Sequence, residues 1–270
     1  MSEPHLLETV ENGIATLTMN RPDSLNALSD EMMNSFAEAV PRLMADRDVG
    51  VVIVTGAGRG FCAGGDVKNM ASRNNESGGS GSAPSLEASA ANLRSRMETS
   101  RHLYQGPKPT IAMMRGPAAG AGLALALACD IRIASETTKC VTAFANVGAS
   151  GDFGGSYFLP KLVGAAKARE LYLTAAVVEA DEALRLGMVN HVVPDGELEA
   201  KTMEMAAKLA AGPSVAYEYI KKNMNAADTG SIEQVFDMEA WHMTRCMMSE
   251  DHREAAMAFV EKRAPRFKGR

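Results

Sequence analysis

The chain has 270 residues, a mass of 28.7 kDa and a formal charge of −5, from 28 basic and 33 acidic residues. With 46% hydrophobic and 23% charged residues, it falls outside the disordered and collagen-like classes. The acidic balance argues against a nucleic-acid partner, and no apolar run approaches the roughly 18 residues of a membrane span. We therefore expect neither nucleic-acid nor membrane partners.

Cysteine usage and the two ends of the chain predict a cytoplasmic location. Four widely spaced cysteines form no C-x-x-C pair, a pattern typical of a reducing compartment. They are Cys62, Cys129, Cys140 and Cys246. The first residues lack the cationic and then apolar pattern of a signal peptide, and the last residues carry no targeting address.

The first third of the chain predicts strands around one helix. Residues 5–11 and 14–19 alternate on either side of Asn12-Gly13, which favours a β-hairpin. Ser29, followed by two acids, predicts the start of a helix that runs to about residue 45. The β-branched run over residues 49–55 is typical of a strand covered on both faces.

A loop and a helical half are expected farther along. Residues 71–86 are rich in glycine, serine and asparagine, which predicts a mobile surface loop, and its part from Ser72 to Leu86 is a candidate lid. A helix ending near residue 104 is then followed by strand, helix and strand. The expected bounds are 110–114, 122–128 and 130–134, then a strand over 190–194 and helices over 201–211, 215–226, 232–248 and 254–262.

The histidines and glycines do not predict a metal or nucleotide cofactor. The five histidines show no H-E-x-x-H spacing, so no metal site is expected. Gly56, Gly58 and Gly60 follow a predicted strand, as in a dinucleotide fingerprint. They lead into residues 61–66 rather than directly into a helix, however, so that interpretation is disfavoured.

Two turns of small residues recur, each after a predicted buried strand and before a helix. They are residues 61–68, FCAGGDVK, and residues 116–122, GPAAGAG. Small residues let the backbone approach a ligand, and the first amides of a helix have no intrahelical acceptor. Two such turns together would form a two-amide anion hole. The alternative is that they serve only tight turning and close helix packing.

These turns, with NRPDSLNALSDEM, LALACDIRIA and AFVEKRAPRFKG elsewhere in the chain, resemble the enoyl-CoA hydratase/isomerase (crotonase) family. The resemblance implies an α/β fold: a spiral of ββα units over residues 1–195 and a helical trimerisation region over residues 196–270. It also implies a homotrimer or a dimer of trimers. The substrate would be an acyl-CoA, with coenzyme A as part of the thioester and no tightly bound cofactor.

The resemblance also assigns residues. The amides of Gly65 and Ala121 would hold the thioester carbonyl. Lys262 resembles a basic residue that reaches a coenzyme phosphate, in some members across a subunit interface. The coenzyme-binding positions that the resemblance implies are Ser24, Leu25, Ala27, Ala63, Asp66, Val67, Lys68 and Lys262.

The departures from the family pattern bear on the reaction. Two glutamates that activate water in typical hydratases are replaced by Ala124 and Phe144. Asp152 remains, at a position that resembles isomerases of dienoyl-CoA and of ring-epoxyphenylacetyl-CoA. We expect Asp152 to act as the acid/base of a double-bond shift, with Phe144 and Phe153 flanking the acyl group or filling the core. Asp152 could instead cap the helix that begins near Gly154.

Other functions stay open at this point. A hydratase with a single atypical acid would use Asp152 and a water molecule. Nucleophilic attack by Asp152 on an aromatic ring, as in dehalogenase-like members, is disfavoured, because the only tryptophan, Trp241, lies in the C-terminal helices. A scaffold that binds acyl-CoA without catalysis would also be consistent with Ala124 and Phe144.

Overall fold

The computed structural model describes residues 3–66 and 85–269. Val67, Lys68 and most of the predicted loop, residues 71–84, lie outside the described residues. The described strands are β1 (Leu6–Glu11), β2 (Ile14–Met19), β3 (Val51–Gly56), β4 (Thr110–Met114), β5 (Pro117–Ala119), β6 (Ile131–Ser135), β7 (Lys139–Val141), β8 (Val178–Glu179) and β9 (His191–Val193).

Helices follow or separate these strands. They are α1 (Asp30–Ala45), α2 (Leu86–Arg96), α3 (Glu98–Gln105), α4 (Gly120–Leu127), α5 (Gly155–Val163), α6 (Ala165–Thr174), α7 (Ala180–Arg185), α8 (Leu198–Ala210), α9 (Ser214–Ala227), α10 (Ile232–Met247) and α11 (Glu250–Glu261). Short 3-10 turns occur at Pro22–Ser24, Phe144–Val147 and Asp195–Glu197.

The predicted hairpin and first helix are confirmed. Strands β1 and β2 pair antiparallel, and Asn12 and Gly13 between them both have positive φ, as a tight hairpin turn requires. Helix α1 begins where predicted because the Ser29 side chain accepts a hydrogen bond from the Met32 amide. Its buried face, which includes Phe36, packs into the main core.

A six-stranded sheet in the order β1-β2-β3-β4-β6-β9 carries the fold. All its neighbours pair parallel except β1 and β2. Val52 and Val54 of β3 face the main core, whereas Val51 and Ile53 face a second cluster that includes Leu198 of α8. The prediction that this strand is covered on both faces is therefore confirmed.

A second, three-stranded sheet, β5-β7-β8, lies beside the turns of interest. Its strand β5 begins directly after the positive-φ residue Gly116, and it leads into α4 with no intervening loop. Cys62 forms a parallel bridge to Ala118 of β5, and Gly65 forms another to Leu28. The first glycine turn is thus joined on one side to β5 and on the other to the segment before α1.

Several predicted boundaries need correction. Leu86 belongs to a helix rather than a loop, because the Ser85 side chain caps α2 by accepting from the Ala88 amide. Helix α11 begins at Glu250, earlier than the predicted residue 254, because Ser249 accepts from the His252 amide. The small-residue helix begins at Gly120 rather than at residue 122.

The C-terminal helices do not all stand apart from the sheet. Helix α8 packs against β2, β3, β4 and β6, although it follows the predicted boundary between residues 195 and 196. The division into 1–195 and 196–270 therefore stays a prediction. No helix within residues 3–66 and 85–269 is long and apolar enough to cross a membrane.

Gly56 ends β3 where the chain folds back, and it tests how tightly the first turn is built. A β-carbon on Gly56 would overlap the carbonyl oxygens of Phe61 and Gly60. We predict that Gly56→Ala lowers the free energy of unfolding by about 3 kcal/mol, because backbone must move to admit the methyl group. Urea denaturation measures this.

Gly196→Ala is the matched control for Gly56→Ala. A β-carbon on Gly196 has nothing within 4 Å, and its φ does not lie in the left-handed region. Its stability should stay within about 0.5 kcal/mol of the parent. Equal stability of the two variants would show that the turn is not packed as described.

Candidate active site

The two glycine-rich turns meet in space. The Cys62 amide donates to the Pro117 carbonyl (3.1 Å), and the Ala119 amide donates to the Cys62 carbonyl (2.8 Å). A β-carbon on Gly64, which has φ +86°, would lie 2.7 Å from the Ala119 oxygen and 3.4 Å from the Ala121 nitrogen. The approach therefore requires glycine at position 64 on grounds of both space and backbone conformation.

Among the described residues, the backbone N–H groups of Gly65 and Ala121 have no hydrogen-bond acceptor, and neither do those of Gly120 and Gly122 on either side of Ala121. Ala121 is the second residue of α4, and the first amides of a helix have no acceptor within it. Gly65 directly follows the close-packed Gly64. An unpaired N–H donor near the start of a helix favours an anionic or strongly polar ligand oxygen.

The segment over residues 21–28 forms the other wall. The Ala63 amide donates to the Leu25 carbonyl, and the Leu28 amide donates to the Gly64 carbonyl, both at 2.8 Å. Leu25 therefore lies beside Ala63. The structure brings together five predicted coenzyme positions, in two segments: Ser24, Leu25 and Ala27, and Ala63 and Asp66.

Asn26 holds this wall in place and was not singled out from the sequence. It is fully buried and has a positive φ of 57°. Its side-chain amide donates to the carbonyls of Ala57 (2.9 Å) and Gly60 (2.8 Å), while its side-chain oxygen accepts from the Arg21 amide (2.9 Å). The available signal was an asparagine in a turn, a residue type that tolerates this conformation.

Asp66 forms an ion pair with Arg21. Its carboxylate is 3.0 Å from Nη2 of Arg21, and Nη1 of the same guanidinium donates to the Ala27 carbonyl (2.6 Å). Arg21 therefore links the two segments where the resemblance places the coenzyme. Ser24, at the end of a 3-10 turn, is exposed to solvent.

Asp152 is half-buried on the turn before α5, and its Oδ1 atom is fully buried with no hydrogen-bond partner. Burial raises the pKa of this carboxyl to about 6. The N-cap residue of α5 is Gly154, and no side chain caps that helix. The carboxyl of Asp152 therefore does not have the alternative capping role.

The turn that carries Asp152 packs against α4. A β-carbon on Gly155 would lie 3.3 Å from Cβ of Ala124, one turn along α4 from Gly120. Cε1 of Phe144 lies 3.7 Å from a β-carbon built on Gly120, and Cδ2 on the other side of the ring lies 3.8 Å from one built on Gly151. Phe144 thus spans from the start of α4 to the residue before Asp152.

A cavity of about 180 Å³ opens next to this turn. Phe153 and Gly154 line it together with Met97 and Tyr157, and the polar side chains of Arg94, Ser100 and Arg101 contribute as well. Phe153 itself is buried in the main core.

Lys262 is the predicted coenzyme contact that the structure keeps separate. It is exposed at the end of α11, and it forms no ion pair or side-chain hydrogen bond within the described part of the chain. No described contact joins it to Ser24, Gly65 or Ala121.

A model of the family described as "Enoyl-CoA hydratase/isomerase" matches residues 9–270. The chain belongs to the enoyl-CoA hydratase/isomerase family. It is 38% identical over 265 residues to the 1,2-epoxyphenylacetyl-CoA isomerase of Escherichia coli (strain K12), covering 98% of each chain. It is also 34% identical over 254 residues to the short-chain-enoyl-CoA hydratase of Clostridium acetobutylicum, covering 94% of this chain and 93% of that one.

The fold comparison agrees with the family assignment. A crystal structure of an enoyl-CoA hydratase from Polaromonas sp. JS666 superposes with a TM-score of 0.89 at 30% identity. That match covers 97% of this chain and 99% of the other. The predicted crotonase-type α/β fold is therefore confirmed, while relatives named as isomerases and as hydratases both occur.

The raised pKa of Asp152 predicts a pH-dependent cost in stability. Because the folded-state pKa of about 6 exceeds the ordinary value of 3.8, the folded protein holds this proton more tightly than the unfolded chain does. The loss of folding stability is absent at pH values below the unfolded-state pKa and reaches its full size at pH values above the folded-state pKa. We predict that Asp152→Asn, which removes the charge, is more stable than the parent by about 1.5 kcal/mol at pH 8, allowing for partial solvent screening.

Denaturation from pH 5 to pH 8 tests this, and the stabilisation should grow with pH. The exposed Asp48, changed to Asn, supplies the control, and its stability should stay within about 0.5 kcal/mol of the parent. If Asp152→Asn destabilised the protein more at pH 8 than at pH 5, that result would contradict the burial of the carboxylate.

Proposed function

We propose that this protein shifts a double bond along the acyl chain of an enoyl-CoA, with Asp152 as the single acid/base. The observation that carries the proposal is the unpartnered, buried carboxyl oxygen of Asp152, on a turn packed against the same helix that presents the Ala121 amide. Ala124 and Phe144 stand nearby, and neither can transfer a proton.

The thioester carbonyl would accept hydrogen bonds from the amides of Gly65 and Ala121. Removal of a proton beside the thioester turns this oxygen into an enolate oxygen, so the two donors act more strongly on the transition state than on the substrate. Each well-placed donor is worth about 10²-fold to 10³-fold in rate. Stabilisation of this charge supplies a large part of the proposed catalysis.

The proton would move through Asp152 in two steps. In the first, a C–H bond of the acyl chain breaks, its proton forms an O–H bond on the Asp152 carboxylate, and the electron pair moves toward the thioester oxygen. In the second, the electron pair returns, and Asp152 delivers the proton to the carbon at the other end of the shifted system. One carboxyl is enough, because no atom is gained or lost overall.

The coenzyme would lie along Ser24, Leu25 and Ala27 and along Ala63 to Lys68. Its phosphates carry negative charge, and so does the protein as a whole, at −5. Local cations must therefore meet them, and we propose Lys68 and Lys262 for this role. Lys262 would act from a neighbouring subunit.

The acyl group would extend from the thioester toward the cavity next to Phe153 and Gly154. Two relatives, named as a 1,2-epoxyphenylacetyl-CoA isomerase and a short-chain-enoyl-CoA hydratase, support an acyl-CoA substrate. They differ in the reaction they name. The hydratase alternative would have Asp152 activate water, and the appearance of a hydroxyacyl product separates the two.

Two properties of the chain support the proposed assembly and location. Large apolar side chains on α9 to α11 are exposed in the single chain, among them Trp241 (79%), Phe259 (85%) and Val260 (80%). We propose that copies of this chain cover them in a homotrimer or a dimer of trimers. The four cysteines are free, consistent with the proposed cytoplasmic location.

Asp152→Asn tests the proposed chemistry. We predict at least a 10³-fold loss of isomerisation of an aliphatic 3-enoyl-CoA, because the variant cannot accept a proton. Coenzyme A binding, measured by calorimetry, should stay within about threefold, since the resemblance places the coenzyme along other residues. Retained turnover in this variant would overturn the assignment.

The pH profile of the parent gives a second test. Asp152 must begin the cycle as a carboxylate, so kcat/KM should fall as the pH drops below about 6, following the raised pKa of this group. A profile with no change between pH 5 and pH 8 would contradict the proposed base.

The assembly has its own test. Sedimentation analysis should give a mass three or six times the 28.7 kDa of the chain. Trp241→Glu combined with Phe259→Glu should shift that mass toward a single chain, because an exposed apolar contact is replaced by charge. Glu199→Gln, an exposed position on α8, should leave the mass unchanged.

A further inference from the structure

An aromatic side chain outside every predicted site position lies next to Asp152. Tyr172 on α6 stacks on Phe144, with ring centroids 6.0 Å apart and an angle of 6° between the planes. A hydrogen bond links the segments that carry the two rings: the Thr142 hydroxyl donates to the Leu171 carbonyl on α6 (2.9 Å). The Phe144 amide in turn donates to the Thr142 carbonyl (2.7 Å).

The turn that carries Asp152 leaves room for this tyrosine. A β-carbon on Gly151 would lie 3.2 Å from Cε1 of Tyr172, and one on Gly155 would overlap its hydroxyl oxygen. Glycine on both sides of Asp152 thus lets the tyrosine ring approach the turn. The position of the Asp152 backbone and the position of the ring depend on each other.

Tyr172 and Asp152 also influence each other electrostatically. Burial, together with the negative charge of Asp152, raises the pKa of the Tyr172 hydroxyl to about 12. Two other elements pack against the turn that carries Asp152. Helix α4 contributes Ala124 and the 3-10 turn contributes Phe144, and neither side chain ionises. The cavity beside Phe153 and Gly154 adds Arg94, Arg101 and Tyr157 to the titratable groups near this turn, while Oδ1 of Asp152 has no hydrogen-bond partner among the described residues.

We propose that Tyr172, stacked on Phe144, determines reaction specificity by occupying the space beside Asp152 in which a water molecule would be activated. This inference rests on the proposed isomerase function and extends it to the choice between isomerisation and hydration. Tyr172 acts through Asp152, so it is a positioning residue rather than a catalytic one.

The chemistry of the two reactions explains why the ring matters. Isomerisation returns a proton to a carbon of the same substrate and needs no other reactant. Hydration breaks an O–H bond of water, forms a C–O bond and adds the proton to the neighbouring carbon, so it needs an ordered water within reach of the carboxyl. A water takes up about 30 Å³, which is close to the volume that shortening a tyrosine to a leucine would open.

The kinetic test compares Tyr172→Leu with Tyr172→Phe. We expect Tyr172→Leu to raise the ratio of hydrated to isomerised product from a 3-enoyl-CoA in ¹⁸O-labelled water by at least tenfold. Tyr172→Phe keeps the ring and should stay within twofold of the parent. Leu173→Ala, at an 80% exposed position on the same helix, controls for general disturbance of α6.

A second readout does not depend on turnover. Carbon-13 NMR of labelled aspartate, with the Asp152 signal assigned from Asp152→Asn, follows the titration of the carboxyl. Its pKa should fall by at least one unit in Tyr172→Leu, as water reaches the group, and should be unchanged in Tyr172→Phe and Leu173→Ala. Phe144→Leu removes the other ring of the stack and should change the product ratio and the pKa in the same direction. It is the variant to use if Tyr172→Leu fails to fold.

The outcomes separate the two proposals. A parent that does not isomerise any 3-enoyl-CoA overturns the proposed function, and with it the claim about specificity, whatever the NMR titration shows. If the parent isomerises, an unchanged product ratio or an unchanged Asp152 titration in Tyr172→Leu overturns the role of Tyr172 alone. Equal effects of Tyr172→Phe and Tyr172→Leu would assign the effect to the hydroxyl and would also overturn the role of the ring.

Discussion

The close approach of two main-chain turns is the constraint on which the rest of the site depends. Residues 62–65 lie between the segment before α1 on one side and strand β5 on the other, joined by hydrogen bonds between backbone groups. Gly64 and the buried Asn26 make the approach possible, the first by lacking a β-carbon and the second by satisfying carbonyl groups that would otherwise be buried without a donor. With the backbone fixed in this way, the amides of Gly65 and Ala121 are left without acceptors in the described chain.

The carboxyl of Asp152 at the site also has a buried atom, Oδ1, without a hydrogen-bond partner in the described chain. The turn that carries Asp152 packs against Ala124, Phe144 and Tyr172. The resulting rise in the pKa of the carboxyl is a cost to folding at neutral pH, and it also brings the group closer to the range in which a proton is both accepted and returned readily. Stability and the proposed chemistry therefore oppose each other at this residue.

Much of the fold was predictable because its signals are local. The Asn12-Gly13 hairpin, the Ser29 cap and the β-branched run of β3 each depend on residues adjacent in sequence, and each was predicted from them. The Ser249 cap was equally visible, and the start of α11 was nevertheless placed late. Asn26 and Tyr172 could not be found in this way, because their partners lie far along the chain, as with the separation of 34 positions between Asn26 and Gly60. Their contacts exist only after the sheets have assembled.

The donors at the meeting of the two turns belong to the main chain, and this has a consequence for how such a protein changes over evolutionary time. Substitution alters a side chain but leaves the peptide N–H in place, unless the new residue is proline. The donors that would hold an oxygen therefore survive most point mutations, although position 64 must stay glycine, whereas substitutions at positions 124, 144, 152 and 172 would alter the chemistry. A protein built in this way can come to catalyse a different reaction while its backbone donors still bind the same kind of substrate.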